Sequence, residues 1–300
     1  LNTGLRGVPV GTCRTSFVTP DEGVHYCGYP ISELANFDPE DIVYLLFNKE
    51  LPTVEQSAEF RQELASRATV PGDLKSILQT LPKDGHPMDW LSVGIHALGM
   101  FETVGDWKED ALNLIARMPR LMGLMFRIRE NRIDNIPDDE PTLTMVDRFV
   151  HTLDFEGFDK TKMKRVISTY LVLHMDHGGG NLSTFTGKAI ASGKATLYSA
   201  MAGAMNALSG PLHGRANQSC LEFVLKVGTS NPAEVEAFVR AELEAKRPIF
   251  GFGHAVLRAE DPRATVQLKL GAEICPDDEN FKIVSALREI APKVLAENPK

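Results

Sequence analysis

Beyond residue 30 the chain alternates between helical segments and short breakers, and this pattern limits the possible folds more than any other feature. Breakers such as Pro71-Gly72 and Gly210-Pro211 separate segments whose apolar residues recur with the period of an α-helix. Helices are predicted over 88–103, 107–130, 141–151, 160–177, 196–208, 215–227, 232–245, 262–273 and 278–296. Another is predicted to begin at Thr53, which could form a capping box with Gln56. Residues 12–30 are predicted to form a β-hairpin, so the fold class is all-α with one short N-terminal hairpin.

The composition is that of an ordinary globular protein and excludes several functional classes. The 300 residues carry a formal net charge of -8, which argues against a nucleic-acid partner because phosphate contacts need clustered cations. No apolar run approaches the roughly 20 residues of a transmembrane helix, so no membrane association is expected. The four cysteines include no C-x-x-C pair, which indicates neither a zinc knuckle nor a redox motif and favours a reducing compartment.

Two corners rich in histidine and glycine interrupt the helical pattern. The first reads HMDHGGGNLS from His174, and a helix that continues to residue 177 would place His174 and His177 on one face. The second reads GPLHGRAN from Gly210, with His213 just before a predicted helix start. Free N–H groups at a helix start favour anions and the neutral form of a nearby imidazole. His213 could therefore donate a hydrogen bond to a carbonyl or an enol.

A third corner places a histidine and two arginines after a glycine-rich turn. It reads PIFGFGHAVLR from Pro248 to Arg258 and continues to Asp261-Pro262-Arg263. Each arginine could hold a carboxylate or phosphate through paired N–H donors. The turn is a weak match to a dinucleotide-binding fingerprint, because the third glycine and a β-α-β pattern are lacking.

A metal site and a close helix interface are two further interpretations of these patterns. The sequence His174-Met-Asp176-His177 contains suitable ligand types, but Asp176 and His177 would point to different helix faces, so no metal is expected. Small residues are frequent over 195–209. They predict either tight packing inside one subunit or a close dimer interface.

With these three motifs in this order, the chain resembles the citrate synthase family. The hairpin region, from Gly4 onward, is also similar, so the resemblance covers essentially the whole chain. It implies a helical homodimer with a large domain, mainly 1–210, and a small domain, mainly 211–300, that closes on substrate. It also implies an acyltransferase of the tricarboxylic acid cycle that condenses oxaloacetate with acetyl-CoA and hydrolyses citryl-CoA, without a cofactor. The expected location is cytoplasmic, or the mitochondrial matrix if the source is eukaryotic.

The resemblance further implies a role for each motif residue. His213 would stabilise the enol of acetyl-CoA, and His254 would bond to the reacting carbonyl of oxaloacetate. The other residues around the substrates would be His177, Arg263, Asn181, His174 and Ser183. CoA would be bound by Arg258, by the segment with Pro248, Ile249, Gly251 and Phe252, and by Arg6 acting on the other subunit's site.

One part of the family pattern lies beyond this sequence. The family's base on the methyl carbon is an aspartate in a Pro-Asn-Val-Asp-like segment, expected with two more substrate arginines after helix 278–296. The chain ends at Lys300, so we expect the C-terminal part of the large domain to be missing from it.

Three other functions remain open at this point. A 2-methylcitrate synthase would use propionyl-CoA, and one extra methylene in an apolar pocket is worth only about 1–3 kcal/mol, so the motifs do not separate the two. The second is a citryl-CoA cleaving enzyme built on a related domain, and the third is an inactive homologue that binds CoA.

Overall fold

The computed structural model describes residues 11–178, 180–253 and 256–297. A small sheet consists of β1 (Ser16–Thr19), β2 (Gly23–Tyr26) and β3 (Tyr29–Pro30). The helices are α1 Ile31–Leu34, α2 Pro39–Asn48, α3 Val54–Arg67, α4 Gly72–Gln79, α5 Pro87–Glu102, α6 Trp107–Arg129, α7 Met145–Leu153, α8 Lys160–His174, α9 Leu182–Ser192, α10 Leu197–Leu208, α11 Ala216–Val227, α12 Pro232–Glu244, α13 Pro262–Ile274 and α14 Glu279–Glu297. The predicted all-α class with an N-terminal hairpin is confirmed. Within these three ranges, no helix combines the length and apolarity that a membrane crossing requires.

The hairpin is followed at once by a third short strand. The strand order is β1-β2-β3, and β2 pairs antiparallel with β3 through His25 opposite Pro30 and Tyr26 opposite Tyr29. Gly23 ends the turn with a φ of +80°, a conformation that costs glycine little. The third strand was not predicted, because two residues give no alternation to recognise.

The chain divides into two compact units, Leu1–Phe17 with Val24–Gly210, and Val18–Gly23 with Pro211–Lys300. The main core of the first unit is formed by α4, α5, α6 and α10, with Trp90, Leu98 and Leu121 among its buried side chains. Small residues allow close approach in this unit. A Cβ on Gly99 would lie 2.5 Å from the Cβ of Tyr198 on α10. The side chain of Tyr198 therefore packs directly against the backbone of α5.

The small residues of α10 therefore serve packing inside one chain. A Cβ on Gly203 would lie 2.1 Å from Ile190 Cδ1 on α9, so the glycine makes room for that side chain. The structure supports the first of the two interpretations given for residues 195–209. The dimer interpretation of that stretch stays a prediction.

The second unit has its own core, in which α14 packs against α11, α12 and α13. Its buried side chains include Phe223 on α11, Val239 on α12 and Leu287 on α14. Ile249, from the loop after α12, joins this core with 6% of its surface exposed. One predicted binding segment is thus anchored directly in the hydrophobic core.

Candidate active site

In the first unit, the HMDHGGGN motif forms the end of α8 and the loop that leads to α9. The helix ends at His174, and Gly178 has a φ of +78°. The N–H of Gly178 donates to Asp176 Oδ1 at 3.0 Å, and the hydroxyl of Thr15 donates to the other oxygen of Asp176. The N–H of Asp176 donates to Tyr26 Oη at 3.3 Å, so the loop is fastened to the small sheet.

The prediction that His174 and His177 share one helix face is wrong. The predicted helix 160–177 stops three residues early, because the carboxylate of Asp176 accepts the N–H two residues ahead and turns the chain. His177 therefore lies in the loop, with an exposed side chain. The signal available for this turn was an aspartate two residues before a glycine, because Asp side chains hydrogen-bond the backbone two residues on.

His174 is oriented by a residue that the sequence analysis did not assign. Its ring stacks on Tyr170 with centroids 4.2 Å apart and an interplanar angle of 25°. Its Nδ1 donates to the carbonyl oxygen of Tyr170 at 2.7 Å, which leaves Nε2 as the other polar atom of the ring. The i, i+4 spacing of the two aromatic rings on a helix was the available signal.

Asn181 closes the loop and begins the next helix. Its Oδ1 accepts the N–H of Thr184 at 2.9 Å, which caps α9, and its Nδ2 donates to the carbonyl of Gly178 at 3.2 Å. Ser183 lies in the first turn of α9 and is half-buried. These contacts give Asn181 a structural role, and its substrate contact stays a prediction.

In the second unit, His213 lies in the turn that precedes α11. The turn covers 211–215, and α11 begins at Ala216 after Arg215, which makes no side-chain cap. The imidazole of His213 is half-buried, while Leu212 beside it is fully exposed. The predicted position just before a helix start is confirmed to within one residue.

The predicted CoA-binding segment alternates between anchored side chains and exposed backbone. Ile249 is buried and Phe252 is half-buried against the same core, whereas Pro248 and Gly251 are exposed. The N–H of Phe252 donates to the carbonyl of Ile249 at 3.3 Å, and Gly251 has a φ of +87°. Only glycine adopts this conformation without strain, and its bare backbone leaves room for a flat ligand.

The two arginines of the third motif have different surroundings. Arg258 is exposed, its backbone N–H donates to the carbonyl of Pro20 at 2.8 Å, and its Nη1 donates to the carbonyl of Leu257 at 2.9 Å. Arg263 is only 15% exposed at its side chain and forms a two-pronged ion pair with Asp261, 2.7 Å from Nη2 to Oδ2 and 3.1 Å from Nε to either oxygen. One arginine is thus open to solvent and the other is held in place.

Asp261 is the second residue to which the sequence analysis gave no role. Its Oδ1 accepts the N–H of Arg263 at 3.0 Å, which caps α13, while the same carboxylate holds the guanidinium. An Asp-Pro pair at a helix start signals the cap, and the cap places the carboxylate beside the third residue's side chain. Two predicted residues, His254 and Arg6, lie outside the described residues.

The structure therefore groups the predicted residues into two sets, one in each unit. The first set is His174, His177, Asn181 and Ser183, on one helix end, one loop and one helix start. The second set is His213, Pro248, Ile249, Gly251, Phe252, Arg258 and Arg263. Among the described residues, no three His, Cys, Asp or Glu side chains are grouped so that they could hold a metal ion.

The fold is that of a helical condensing enzyme of the acyltransferase type. The chain is similar to the crystal structure of citrate synthase from Thermotoga maritima MSB8, with a TM-score of 0.86 and 29% identity over 99% of this chain and 80% of that chain. The family model for the citrate synthase C-terminal domain matches residues 4–300. The chain belongs to the citrate synthase family.

Two relatives of similar identity to this chain have names that state different activities. Citrate synthase 4, mitochondrial, of Arabidopsis thaliana is 34% identical over 323 residues, which cover 98% of this chain and 67% of that protein. The 2-methylcitrate synthase, mitochondrial, of Yarrowia lipolytica is 32% identical over 328 residues, which cover 99% of this chain and 70% of that protein.

Proposed function

We propose that the protein condenses oxaloacetate with acetyl-CoA and hydrolyses the resulting citryl-CoA to citrate and CoA. The observation that carries this proposal is the family match over residues 4–300. The local conformations support it, because the glycines at 178, 251 and 253 adopt left-handed φ values beside the proposed binding residues. Such turns bring bare backbone against a ligand, which a side chain at the same position would block.

His213 is the proposed donor to the thioester oxygen. A thioester methyl group is a weak carbon acid, so its enol forms readily only when a base takes the proton while a donor stabilises the oxygen. The half-buried imidazole of His213 lies in a turn before the first amides of α11, which receive no cap from the Arg215 side chain. Donors that are fixed before the reaction stabilise developing negative charge most effectively.

Arg263 is the proposed partner of an oxaloacetate carboxylate. Asp261 accepts from Nε–H and from one N–H of Nη2, so the second N–H of Nη2 and both N–H groups of Nη1 are the proposed donors to the substrate. The ion pair fixes the plane of the guanidinium, which reduces the entropy lost when the substrate binds. His177 and His254 are proposed to complete the oxaloacetate contacts, with His254 bonding to the reacting carbonyl.

CoA is proposed to lie along the segment from Pro248 to Phe252. The exposed backbone at Pro248 and Gly251 would meet the adenine, and the exposed guanidinium of Arg258 would meet the phosphates. Asn181, Ser183 and His174 would line the pocket near the thioester. The division of the chain at residue 210 supports a small domain made mainly of 211–300.

The test is product formation by the full-length protein. Free thiol from CoA is measured with acetyl-CoA and oxaloacetate together and with each alone, and citrate is identified by mass spectrometry. Thiol release that needs both substrates and yields citrate supports the proposal. Oxaloacetate binding without any thiol release would instead indicate the inactive CoA-binding homologue.

A second candidate is 2-methylcitrate synthase activity with propionyl-CoA. It is favoured by the 32% identity to the Yarrowia lipolytica enzyme, which is close to the 34% identity to the Arabidopsis thaliana citrate synthase. The two candidates are separated by the ratio of kcat/KM for acetyl-CoA and propionyl-CoA. A ratio below one would replace the first proposal.

The protein is also proposed to act as a homodimer. One face of α5 carries exposed apolar side chains at Val93, Met100 and Phe101, and the stripe continues through Val104 to Trp107. Exposed apolar stripes of this kind mark interaction surfaces in soluble proteins.

The mitochondrial names of the relatives support a matrix location if the source is eukaryotic, and the cytoplasm is proposed otherwise.

A further inference from the structure

The loop before the proposed CoA-binding segment is fastened to one buried carboxylate. Glu242, on α12, is 5% exposed. It accepts from Arg247 Nε at 2.8 Å and Nη2 at 2.7 Å, and from Lys226 Nζ at 2.9 Å. Arg247 immediately precedes Pro248, the first residue of the segment. One anion thus holds two cations, and one of these cations is the residue next to the proposed adenine contact.

The hydrogen bonds of this cluster stabilise the charged form of Glu242. Two hydrogen bonds from Arg247, then one from Lys226, lower the pKa of Glu242 to about 2, so the carboxylate stays charged at neutral pH. Charge-assisted bonds with two-pronged geometry are the strongest class of side-chain hydrogen bond. The side chains of Lys226 and Arg247 are 55% and 52% exposed, so water solvates both cations. The buried carboxylate of Glu242 is instead stabilised by its hydrogen bonds to these two cations.

The backbone returns to the same residue. The N–H of Arg247 donates to the carbonyl of Glu242 at 2.9 Å, and the N–H of Lys246 donates to that of Leu243 at 2.9 Å. Lys246 has a φ of +56°, so the turn is a Schellman-type helix end with lysine where glycine is usual. A left-handed conformation is strained for lysine. The ion pair between Glu242 and Arg247 spans the same turn and offsets this strain.

The far side of the segment is held by apolar contacts on α11. Phe223 packs against Phe250, with ring centroids 5.9 Å apart, and Ile249 lies in the same core. Lys226, one turn along α11 from Phe223, reaches Glu242. The segment is therefore anchored by an ion pair at its start, by the buried side chain of Ile249 and by the ring contact of Phe250, while Pro248 and Gly251 are exposed.

We propose that Glu242 is a positioning residue for the acyl-CoA site, which acts through Arg247 to hold the backbone at Pro248–Phe252 in its ligand-binding conformation. The inference rests on the proposed function, in which this backbone meets the adenine of CoA. It predicts an effect that depends on the adenosine part of the donor and leaves oxaloacetate binding alone.

The test compares two acyl donors in the full-length protein. Acetyl-CoA carries the adenosine moiety, and S-acetylpantetheine presents the same thioester without it. Glu242→Gln removes the charge but keeps the size, and we expect its KM for acetyl-CoA to rise on the order of tenfold, because small misplacements of binding groups have effects of this size. Its KM for oxaloacetate, its kcat and its kcat/KM for S-acetylpantetheine are expected to stay within about twofold of the wild-type values, since the adenine contact acts mainly on donor binding.

Glu236→Gln is the matched control, because Glu236 lies on the same helix and pairs with Arg240 at 2.7 Å on the exposed side. It is expected to leave all four constants unchanged. Arg247→Gln removes the same ion pair from its solvent-exposed end, and it provides the test if Glu242→Gln does not fold. It should reproduce the loss that is specific to acetyl-CoA.

The outcomes separate the inference from its premise. Equal losses with both donors would show a general structural role for Glu242 and would overturn the inference, as would an unchanged KM for acetyl-CoA. A wild-type protein that uses both donors equally well would overturn the proposed adenine contact, and the inference with it. A loss confined to acetyl-CoA supports both.

Discussion

Single side chains in this protein hold the backbone and orient a neighbour at the same time. Asn181 caps α9 with its oxygen and binds the carbonyl of Gly178 with its nitrogen. Asp261 caps α13 and holds Arg263 with the same carboxylate. Asn181 therefore links the start of α9 to the preceding loop, and Asp261 links the start of α13 to a proposed binding residue. Substitutions that keep one function while removing the other can separate the two roles.

Replacement of Asp261 by asparagine makes that separation. Asparagine caps helices about as well as aspartate, so α13 keeps its start, but the ion pair to Arg263 is lost. For Asp261→Asn we expect a several-fold higher KM for oxaloacetate with little change in thermal stability. Arg263→Leu should raise the KM for oxaloacetate by roughly 10- to 100-fold, the equivalent of one charge-assisted hydrogen bond. Asp159→Asn, at the cap of α8, is the control. A change confined to acetyl-CoA would assign Arg263 to the other substrate.

His213 offers the most direct test of the proposed chemistry. Removal of its imidazole in His213→Ala is expected to lower kcat by roughly 100- to 10,000-fold, the range for loss of an acid–base or donor group. The side chain is only half-buried in a turn, so the thermal unfolding midpoint should change little. His151→Ala, which removes a contact to the carbonyl of Asp138, is the control and should keep its turnover. Normal turnover in His213→Ala would remove this residue from the mechanism.

The sequence was sufficient for the positions of the motif residues but not for their partners. His213 was placed just before a helix because proline and glycine mark that boundary locally. The stacking of Tyr170 on His174 could have been found from spacing, whereas the hydroxyl of Thr15 reaches Asp176 from far along the chain. Such long-range contacts depend on the packing of the small sheet, which no local pattern encodes.

At the level of helices and strands, capping explains which boundaries were predictable. Thr53 and Gln56 form the predicted capping box, with the Gln56 N–H 3.3 Å from Thr53 Oγ1 and the Thr53 N–H 2.9 Å from Gln56 Oε1. The helix predicted to start at 141 starts at Met145, because Thr144 supplies its cap. α9 was not among the predicted helices, although Asn181 supplies its cap.

The helical periodicity of the sequence did not indicate which charged side chains are buried. Within the largely exposed acidic loop at 137–141, Asp139 pairs at 2.8 Å with Arg148, which is 2% exposed on α7. Glu40 on α2 is also 2% exposed, and its Oε1 accepts the N–H of Met145 at the start of α7 at 2.7 Å. Arg148 and Glu40 are therefore charged residues on helix faces that the sequence pattern predicts only to be buried.

Glu40 makes the joint between α2 and α7 sensitive to pH. Burial raises the pKa of its carboxyl, with Asp38 adding to the shift, while the Met145 N–H and Arg61 oppose it. The folded state therefore binds the proton more tightly than the unfolded state. Stability from this group is complete below the ordinary pKa of a glutamate and is lost as the pH rises through the raised value.

Glu40→Gln should accordingly stabilise the protein at neutral pH. Glutamine still accepts from Met145 but carries no charge to desolvate, so the thermal unfolding midpoint at pH 7 is expected to exceed that of the wild type. The difference should shrink as the pH falls towards the ordinary range of a glutamate, where the wild-type carboxyl is protonated as well. Glu59→Gln, on the exposed side of α3, should show no such trend. A lower midpoint for Glu40→Gln at pH 7 would mean that the attraction to Arg61 outweighs the cost of burial.

At the scale of the whole molecule, the stripe on α5 is an apolar surface that the packing of the described residues leaves exposed. The inner face of α5 packs against α6 and α10 in the core, as amphipathic spacing predicts. The outer face carries Val93 and, seven residues later, Met100, which is 87% exposed. Exposed apolar residues in soluble proteins mark interaction surfaces, and this face is the proposed contact with a second copy of the chain.

Met100→Glu tests the dimer at the centre of that stripe. A charge forced into an apolar interface without a partner costs about 3 kcal/mol or more, so the dissociation constant should rise roughly 100-fold. We expect light scattering at low micromolar concentration to give a dimer mass for the wild-type full-length protein and mostly a monomer mass for the variant. Val54→Glu is the control, because Val54 is 83% exposed at the start of α3, away from the stripe. If both variants stay dimeric, the interface lies elsewhere. If both dissociate, added charge alone is responsible and the face of α5 loses its special role.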